Sequence, residues 1–123
     1  MVGIDLFEIK RKSTFCNENI IKRFFFDEEI NQSKIQKDKT LYYAKLFSVK
    51  EAVYKLLHNL YPTLYFNKFS IKVSYSNYVF KIQYVLQNDK EINKVINQID
   101  FKKIYISDAD EKDYLITIAM LSN

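Results

Sequence analysis

The chain opens on alternation. Val2, Ile4 and Leu6 fall on one side of an extended segment, and Gly3, Asp5 and Phe7 on the other. This predicts a strand over 2–9 that carries one acid within an apolar run. Residues 10–39 are mixed. Asn17 is placed to cap a short helix through Ile20, Ile21 and Phe24. Asp27 to Lys34 suggests a second helix, with Asp27, Glu28 and Glu29 at its start, where negative charge favours the helix dipole. From Thr40 to about Leu60 the period is helical: Leu46, Val49, Val53 and Leu56 make one apolar face, and Ser48, Glu51 and Lys55 recur on the opposite side. Pro62 and Thr63 break the pattern.

Alternation returns in Phe69, Ile71, Val73 and Tyr75, then in Tyr78, Phe80, Ile82, Tyr84 and Leu86, with Ser76-Asn77 as a plausible turn, so a hairpin is expected. Asn88 is placed to cap a helix whose face is Ile92, Val95, Ile96 and Ile99. Ile104 to Ser107 reads as a strand, Asp108 to Asp113 as a polar turn, and Tyr114 to Leu121 as a closing strand. No repeat, linker or low-complexity segment interrupts residues 1–123. The expected fold is a single α+β domain, an antiparallel sheet packed on helices.

Composition narrows the chemistry. The chain has 123 residues, is 48% apolar and carries ten Phe and ten Tyr, enough for one real core rather than a disordered chain. It holds one Gly and one Pro. A glycine-rich phosphate loop is excluded, because such loops need glycine for close backbone approach. Any phosphate must be held by side chains, a metal or a helix N-terminus. The net charge of +4 favours acidic partners. Cys16 is alone, so no internal disulfide forms, which agrees with a reducing cytoplasm. The opening residues lack the pattern of a signal peptide, and no apolar run approaches the roughly 20 residues of a membrane span. The single His58 argues against a histidine metal site or triad. Aromatics flanked by lysines, as in Tyr65-Phe66-Asn67-Lys68-Phe69, are a pattern that stacks bases. Most aromatics here alternate as core residues do, so no nucleic acid partner is expected.

The sharpest local feature is Phe47-Ser48-Val49-Lys50-Glu51-Ala52-Val53-Tyr54-Lys55. Glu51 and Lys55, four apart, meet on the helix surface, and on helix periodicity alone an ordinary exposed salt bridge worth a few tenths of a kcal/mol explains such a pair better than a functional site does. Asp5, taken alone, fits an acid that hydrogen-bonds a loop. Hard oxygen ligands with one or two carboxylates also suit Mg²⁺ bound to phosphates.

Taken in order, the segments resemble the holo-(acyl-carrier-protein) synthase family of 4′-phosphopantetheinyl transferases. Gly3-Ile4-Asp5-Leu6-Phe7-Glu8-Ile9 is similar to the family's Gly-Ile-Asp-apolar-x-Glu-apolar opening, and a basic residue follows. Arg23 to Glu29 looks like its Arg-apolar-Phe-Thr-x-x-Glu segment, with Phe26 at the small hydroxyl position. Phe47 to Lys55 matches Phe-x-x-Lys-Glu-Ala-x-x-Lys at every fixed position, and Ile104 to Ser107 with Tyr114 to Leu121 resembles the closing hairpin. The resemblance implies transfer of 4′-phosphopantetheine from coenzyme A to a serine of apo-acyl carrier protein, in cytoplasmic fatty acid biosynthesis. It implies Mg²⁺ held by Asp5 and Glu51, and catalytic roles for Glu51 and Lys55. It also implies coenzyme A contacts from Lys45, Ser48 and Lys55, a carrier-protein contact from Arg11, and a homotrimer with sites between subunits. Three departures stand out. Lys45-Leu46 replaces a Gly-Arg pair whose arginine holds coenzyme A phosphate; the family's later glycines are missing; and Ser107-Asp108 replaces a closing Ser/Thr-His. An inactive relative that binds the carrier protein or coenzyme A is the alternative reading.

Overall fold

The computed structural model describes residues 1–60, 62, 70–76, 79–85, 90, 94, 97, 98 and 104–122. The elements in chain order are β1 (Val2–Glu8), a 3₁₀ segment (Ile9–Cys16), α1 (Glu18–Phe24), α2 (Asp27–Ser33), α3 (Lys39–Leu60), β2 (Ser70–Ser76), β3 (Val79–Val85), β4 (Ile104–Glu111) and β5 (Tyr114–Leu121). The strands β1, β5 and β4 form one antiparallel sheet in that order, and β2 and β3 form a separate hairpin. This is the expected α+β arrangement.

The long helix α3 lies across the inner face of the three-stranded sheet. Leu46, Val49, Val53 and Leu56 are the anticipated apolar face, and each is buried, together with Ala44, Ala52 and Leu57. Each such Leu or Val stabilises the fold by about 1.5–3 kcal/mol relative to exposure. The sheet contributes Leu115 and Ala119 to the same core. Gly3 is where strand and helix come closest. A Cβ there would stand 2.6 Å from Leu56 N and nearer still to Ala52 O, so the requirement for glycine is one of space.

Asn17 caps α1 as its sequence position suggests, accepting from Asn19 N at 2.9 Å. Asp38, just before α3, accepts from Leu41 N at 3.1 Å and plays the same part there, with Lys12 on its other oxygen at 2.8 Å. The 3₁₀ segment has no apolar period to announce it. It is held by Phe15, buried among Phe7, Phe25, Tyr43 and Phe47, with ring centroids 5.5 Å apart for Phe15 and Phe47.

One feature differs from the pattern reading. The polar stretch Asp108 to Glu111, expected as a turn, continues β4 and pairs through to Glu111 opposite Tyr114, leaving Lys112 and Asp113 as the turn. Ladder pairing is made by backbone, and both faces of this end are exposed, so no hydrophobic alternation marks it. Alternation alone does not say which side of β1 meets the core: Val2, Ile4 and Leu6 point away from α3 and are 42%, 52% and 60% exposed, beside exposed Tyr105 and Met120. The buried side of β1 is the one carrying Gly3 and Asp5. The expected hairpin forms from β2 and β3, while its turn at 77–78 lies outside the described residues. So do Ile92, Val95, Ile96 and Ile99, although Lys90, Lys94 and Asn97 are helical. Among the described residues, no helix is long and apolar enough to cross a membrane.

Candidate active site

Alternation places Asp5 on the inner face of β1, where α3 covers it. Only 8% of Asp5 is exposed. A buried carboxylate needs partners, and this one has two. Oδ1 accepts from Lys55 Nζ at 3.0 Å, and Oδ2 accepts from Ser48 Oγ at 2.8 Å. Lys55 also donates to Ile4 O at 3.1 Å. The lysine therefore crosses from helix to strand and forms its ion pair with Asp5, not with Glu51 along the helix.

Glu51 sits half-buried beside this pair and makes no hydrogen bond or ion pair of its own among the described residues. Burial raises its affinity for a proton, the Asp5 charge raises it further, and Lys55 partly opposes both. Two carboxylates thus share the field of one ammonium group, an arrangement short of positive charge. An ionised carboxylate offers about four lone-pair sites. Asp5 uses one on Lys55 and one on Ser48, which leaves acceptor capacity on both oxygens.

This donor set fits a hard divalent cation. Among the described residues no group of three or more His, Cys, Asp or Glu could hold a metal. Two carboxylates are nonetheless what Mg²⁺ takes from a protein when water and phosphate oxygens complete its shell.

The remaining sequence candidates are placed as follows. Ser48, expected at the cofactor, is fully enclosed, and its hydroxyl lies between Asp5 and Thr117 Oγ1, which donates to it at 3.0 Å. It stands beneath the carboxylate, with no surface to offer a nucleotide in solution. Lys45 lies six residues before Glu51, about 9 Å along the helix. Its ammonium pairs with Asp110 of β4 at 3.0 Å. Leu46, where the related pattern has arginine, is buried, so the one-residue shift separates a core position from a surface one. Lys45 also borders a cavity of about 400 Å³ shared with Ile35, Lys37, Leu41 and Tyr42. Arg11 is exposed on the 3₁₀ segment and makes no ion pair among the described residues, whereas Lys10 and Lys12 pair with Glu8 and Asp38.

The structure adds two residues to the candidates. Thr117 is the cross-strand partner of Asp5, and nothing in the β5 pattern distinguishes it from a packing residue. Lys50 stands in the helix motif, but its neighbourhood could not be read there. Its Nζ lies 2.6 Å from Glu29 Oε1 and 3.0 Å from Phe24 O, with the rings of Phe25 and Phe26 beside it. Burial lowers the lysine's proton affinity and Glu29 opposes that shift. Glu29 also accepts from Phe26 N at 3.0 Å, half of a capping box whose hydroxyl half is replaced by phenylalanine.

Fold and site together are those of an α+β domain with an Asp on the edge strand of its sheet and a Glu and a Lys on the covering helix. The family described as the 4′-phosphopantetheinyl transferase superfamily matches residues 1–119. The holo-[acyl-carrier-protein] synthase of Buchnera aphidicola subsp. Schizaphis graminum is 30% identical over 128 aligned residues, covering 98% of this chain and 94% of that one. The holo-[acyl-carrier-protein] synthase of Helicobacter pylori, solved in complex with coenzyme A, is 26% identical with a TM-score of 0.66 and covers 99% of this chain and 100% of its own. The Neisseria meningitidis synthase superposes with a TM-score of 0.72 over 99% of this chain and 97% of its own; at 19% identity that likeness speaks for the fold. The chain belongs to the 4′-phosphopantetheinyl transferase superfamily and is an enzyme of its holo-(acyl-carrier-protein) synthase type.

Proposed function

We propose that the protein transfers 4′-phosphopantetheine from coenzyme A to a serine hydroxyl of an apo-acyl carrier protein, with Mg²⁺, releasing adenosine 3′,5′-bisphosphate. The observation that carries this is the convergence of Asp5, Glu51 and Lys55 at the seam between β1 and α3.

The serine oxygen forms a bond to a pyrophosphate phosphorus while the bond to the leaving phosphate breaks. Catalysis of such a step is mostly positioning and charge stabilisation. Asp5 and Glu51 would hold Mg²⁺, which supplies neutralisation of pyrophosphate charge when bound. Glu51, whose proton affinity is raised by burial and by Asp5, is suited to accept the serine proton. Lys55, with nearly half of its side chain in solvent, is free to turn from Asp5 to the charge growing on the leaving phosphate. Lys45 is the cation suited to meet the nucleotide's phosphate, provided it leaves Asp110. Arg11, an unpaired surface cation among the described residues, suits an acidic carrier protein. The exposed apolar face of Val2, Ile4, Leu6, Tyr105 and Met120 supports burial against further copies of the chain, a homotrimer in this reading.

The test incubates the purified chain with Mg²⁺, coenzyme A and apo-carrier protein and reads the carrier's mass. A gain of one phosphopantetheine group is expected, and Glu51→Gln should abolish it. The Lys45–Asp110 pair, together with Leu46 at the arginine position, favours the second reading, a catalytically degenerate binder. Carrier binding without mass gain, and coenzyme A binding indifferent to Mg²⁺, would establish that alternative.

A further inference from the structure

The transfer chemistry uses the outer side of Asp5, but its inner side is built as well. Oδ2 accepts from Ser48 Oγ at 2.8 Å, and Ser48 Oγ accepts from Thr117 Oγ1 at 3.0 Å. Ser48 is fully buried and Thr117 is 2% exposed. Asp5 and Thr117 are directly opposed across β1 and β5, and Ser48 comes down onto them from α3. Three elements therefore meet at one carboxylate through a chain of two hydroxyls.

Hydroxyls at such positions need an explanation. A buried hydroxyl must be hydrogen-bonded, and an apolar residue of similar shape avoids that demand at little loss of stability. Alanine and valine would fill these two places. What the hydroxyls supply is direction. The terminal torsion of an aspartate is broad and roughly two-fold, so packing alone leaves its oxygens loosely set. The Ser48 bond turns Oδ2 inward and leaves Oδ1 on the side of Lys55. Thr117 in turn commits the Ser48 lone pair, so that the Ser48 proton is directed to Asp5. Both donors are neutral, and they orient the carboxylate without cancelling its charge.

We infer that Ser48 and Thr117 are positioning residues that orient Asp5 for a divalent cation, acting in series through the Ser48 hydroxyl. The inference rests on the reading of Asp5 and Glu51 as the cation-binding pair. Groups that orient metal ligands from behind typically change metal affinity by roughly 10–100-fold when removed.

The test uses Mn²⁺ as probe, following loss of the free-ion electron paramagnetic resonance signal on the full chain with and without coenzyme A. Asp5→Asn should abolish or strongly weaken binding. Ser48→Ala should weaken Mn²⁺ binding about tenfold. It should raise the Mg²⁺ needed for half-maximal transfer in parallel, while KM for coenzyme A stays within about twofold. Thr117→Val should weaken it less. The double variant should match Ser48→Ala, because Thr117 reaches Asp5 only through Ser48. Wild-type Mn²⁺ affinity in a folded Ser48→Ala protein overturns the inference, as does a double variant in which the two losses multiply. If Ser48→Ala fails to fold, Thr117→Val, which keeps the shape of the site, decides by itself, and unchanged affinity there overturns the inference. If Asp5→Asn leaves Mn²⁺ binding intact, the cation-pair reading fails first; if only Asp5→Asn has an effect, that reading stands and the hydroxyl relay alone is refuted.

Discussion

Gly3→Ala adds one methyl group at the point where β1 rests on the backbone of α3. That methyl would lie 2.6 Å from Leu56 N and closer to Ala52 O, whereas ordinary van der Waals contact begins near 3.4 Å. The atoms in the way belong to helix backbone, so no side chain can step aside. The strand and helix must part by roughly 1 Å, and overpacking of this kind costs about 1–3 kcal/mol. The displacement does not stay at Gly3. Asp5 is two residues on, facing the same way, and its bonds to Ser48 and Lys55 bridge the interface that is forced open. Misplacement by about 1 Å in a catalytic array can reduce the rate on the order of 10²-fold. The expected result is a folded protein with a lower urea midpoint and phosphopantetheine transfer reduced by about 10²-fold, with KM for the carrier protein little changed. Transfer is read by carrier mass and stability by equilibrium denaturation. Wild-type rate and stability in Gly3→Ala would refute the claim that the site's geometry is set by the approach of strand to helix backbone.

Three further outcomes follow from the same contacts. Glu51 in the folded protein holds its proton to higher pH than a free glutamate does, through burial first and Asp5 second. Stability therefore falls as pH rises through the window from the unfolded pKa to the raised folded one. In the absence of divalent cations, Glu51→Gln should melt higher than wild type at pH 8 and converge with it at pH 4, and the opposite order in thermal melts would remove the electrostatic account. Glu29→Leu strands Lys50 among aromatic rings without its counter-charge and should cost about 3–5 kcal/mol in denaturant titrations, while Glu29→Leu with Lys50→Met should recover most of that loss. Leu6→Glu places a charge in the exposed apolar face of the sheet and should convert an assembly of chains to monomers in sedimentation; a wild-type protein already monomeric would contradict the proposed homotrimer.

Much of this arrangement was legible in the sequence because period and orientation coincide there. Alternation in β1 places Asp5 and Gly3 together, and the helical period places Glu51 near Lys55. What periodicity does not reveal is how many sides an element buries. Ser48 reads as a polar position on an amphipathic helix and Lys50 as a fixed motif residue, yet α3 is covered by the sheet on one side and by the segments around Phe15, Phe25 and Glu29 on another, so both are buried. The pairing of Lys50 with Glu29 spans 21 residues and that of Thr117 with Ser48 spans 69, distances at which pattern carries no information about contact. Val2, Ile4 and Leu6 show the converse: their alternation is as regular as a core strand's, while the single chain leaves them in solvent.

The weak point of the site follows from the same geometry. Asp5, Glu51 and Lys55 are carried by two elements locked through Gly3, so their mutual placement is insensitive to what the surrounding segments become. The nucleotide end has no such lock. Leu46 has become core, and the available cation, Lys45, is half-buried and already answered by Asp110 at the exposed end of β4. A pair this open to solvent on the Asp110 side is worth about 1 kcal/mol or less, whereas a phosphate offers Lys45 a stronger, doubly charged partner. Breaking the pair by Asp110→Asn should therefore lower KM for coenzyme A several-fold and leave the rate at saturation unchanged. An unchanged KM would mean that Lys45 does not meet the nucleotide, and that coenzyme A is held from elsewhere.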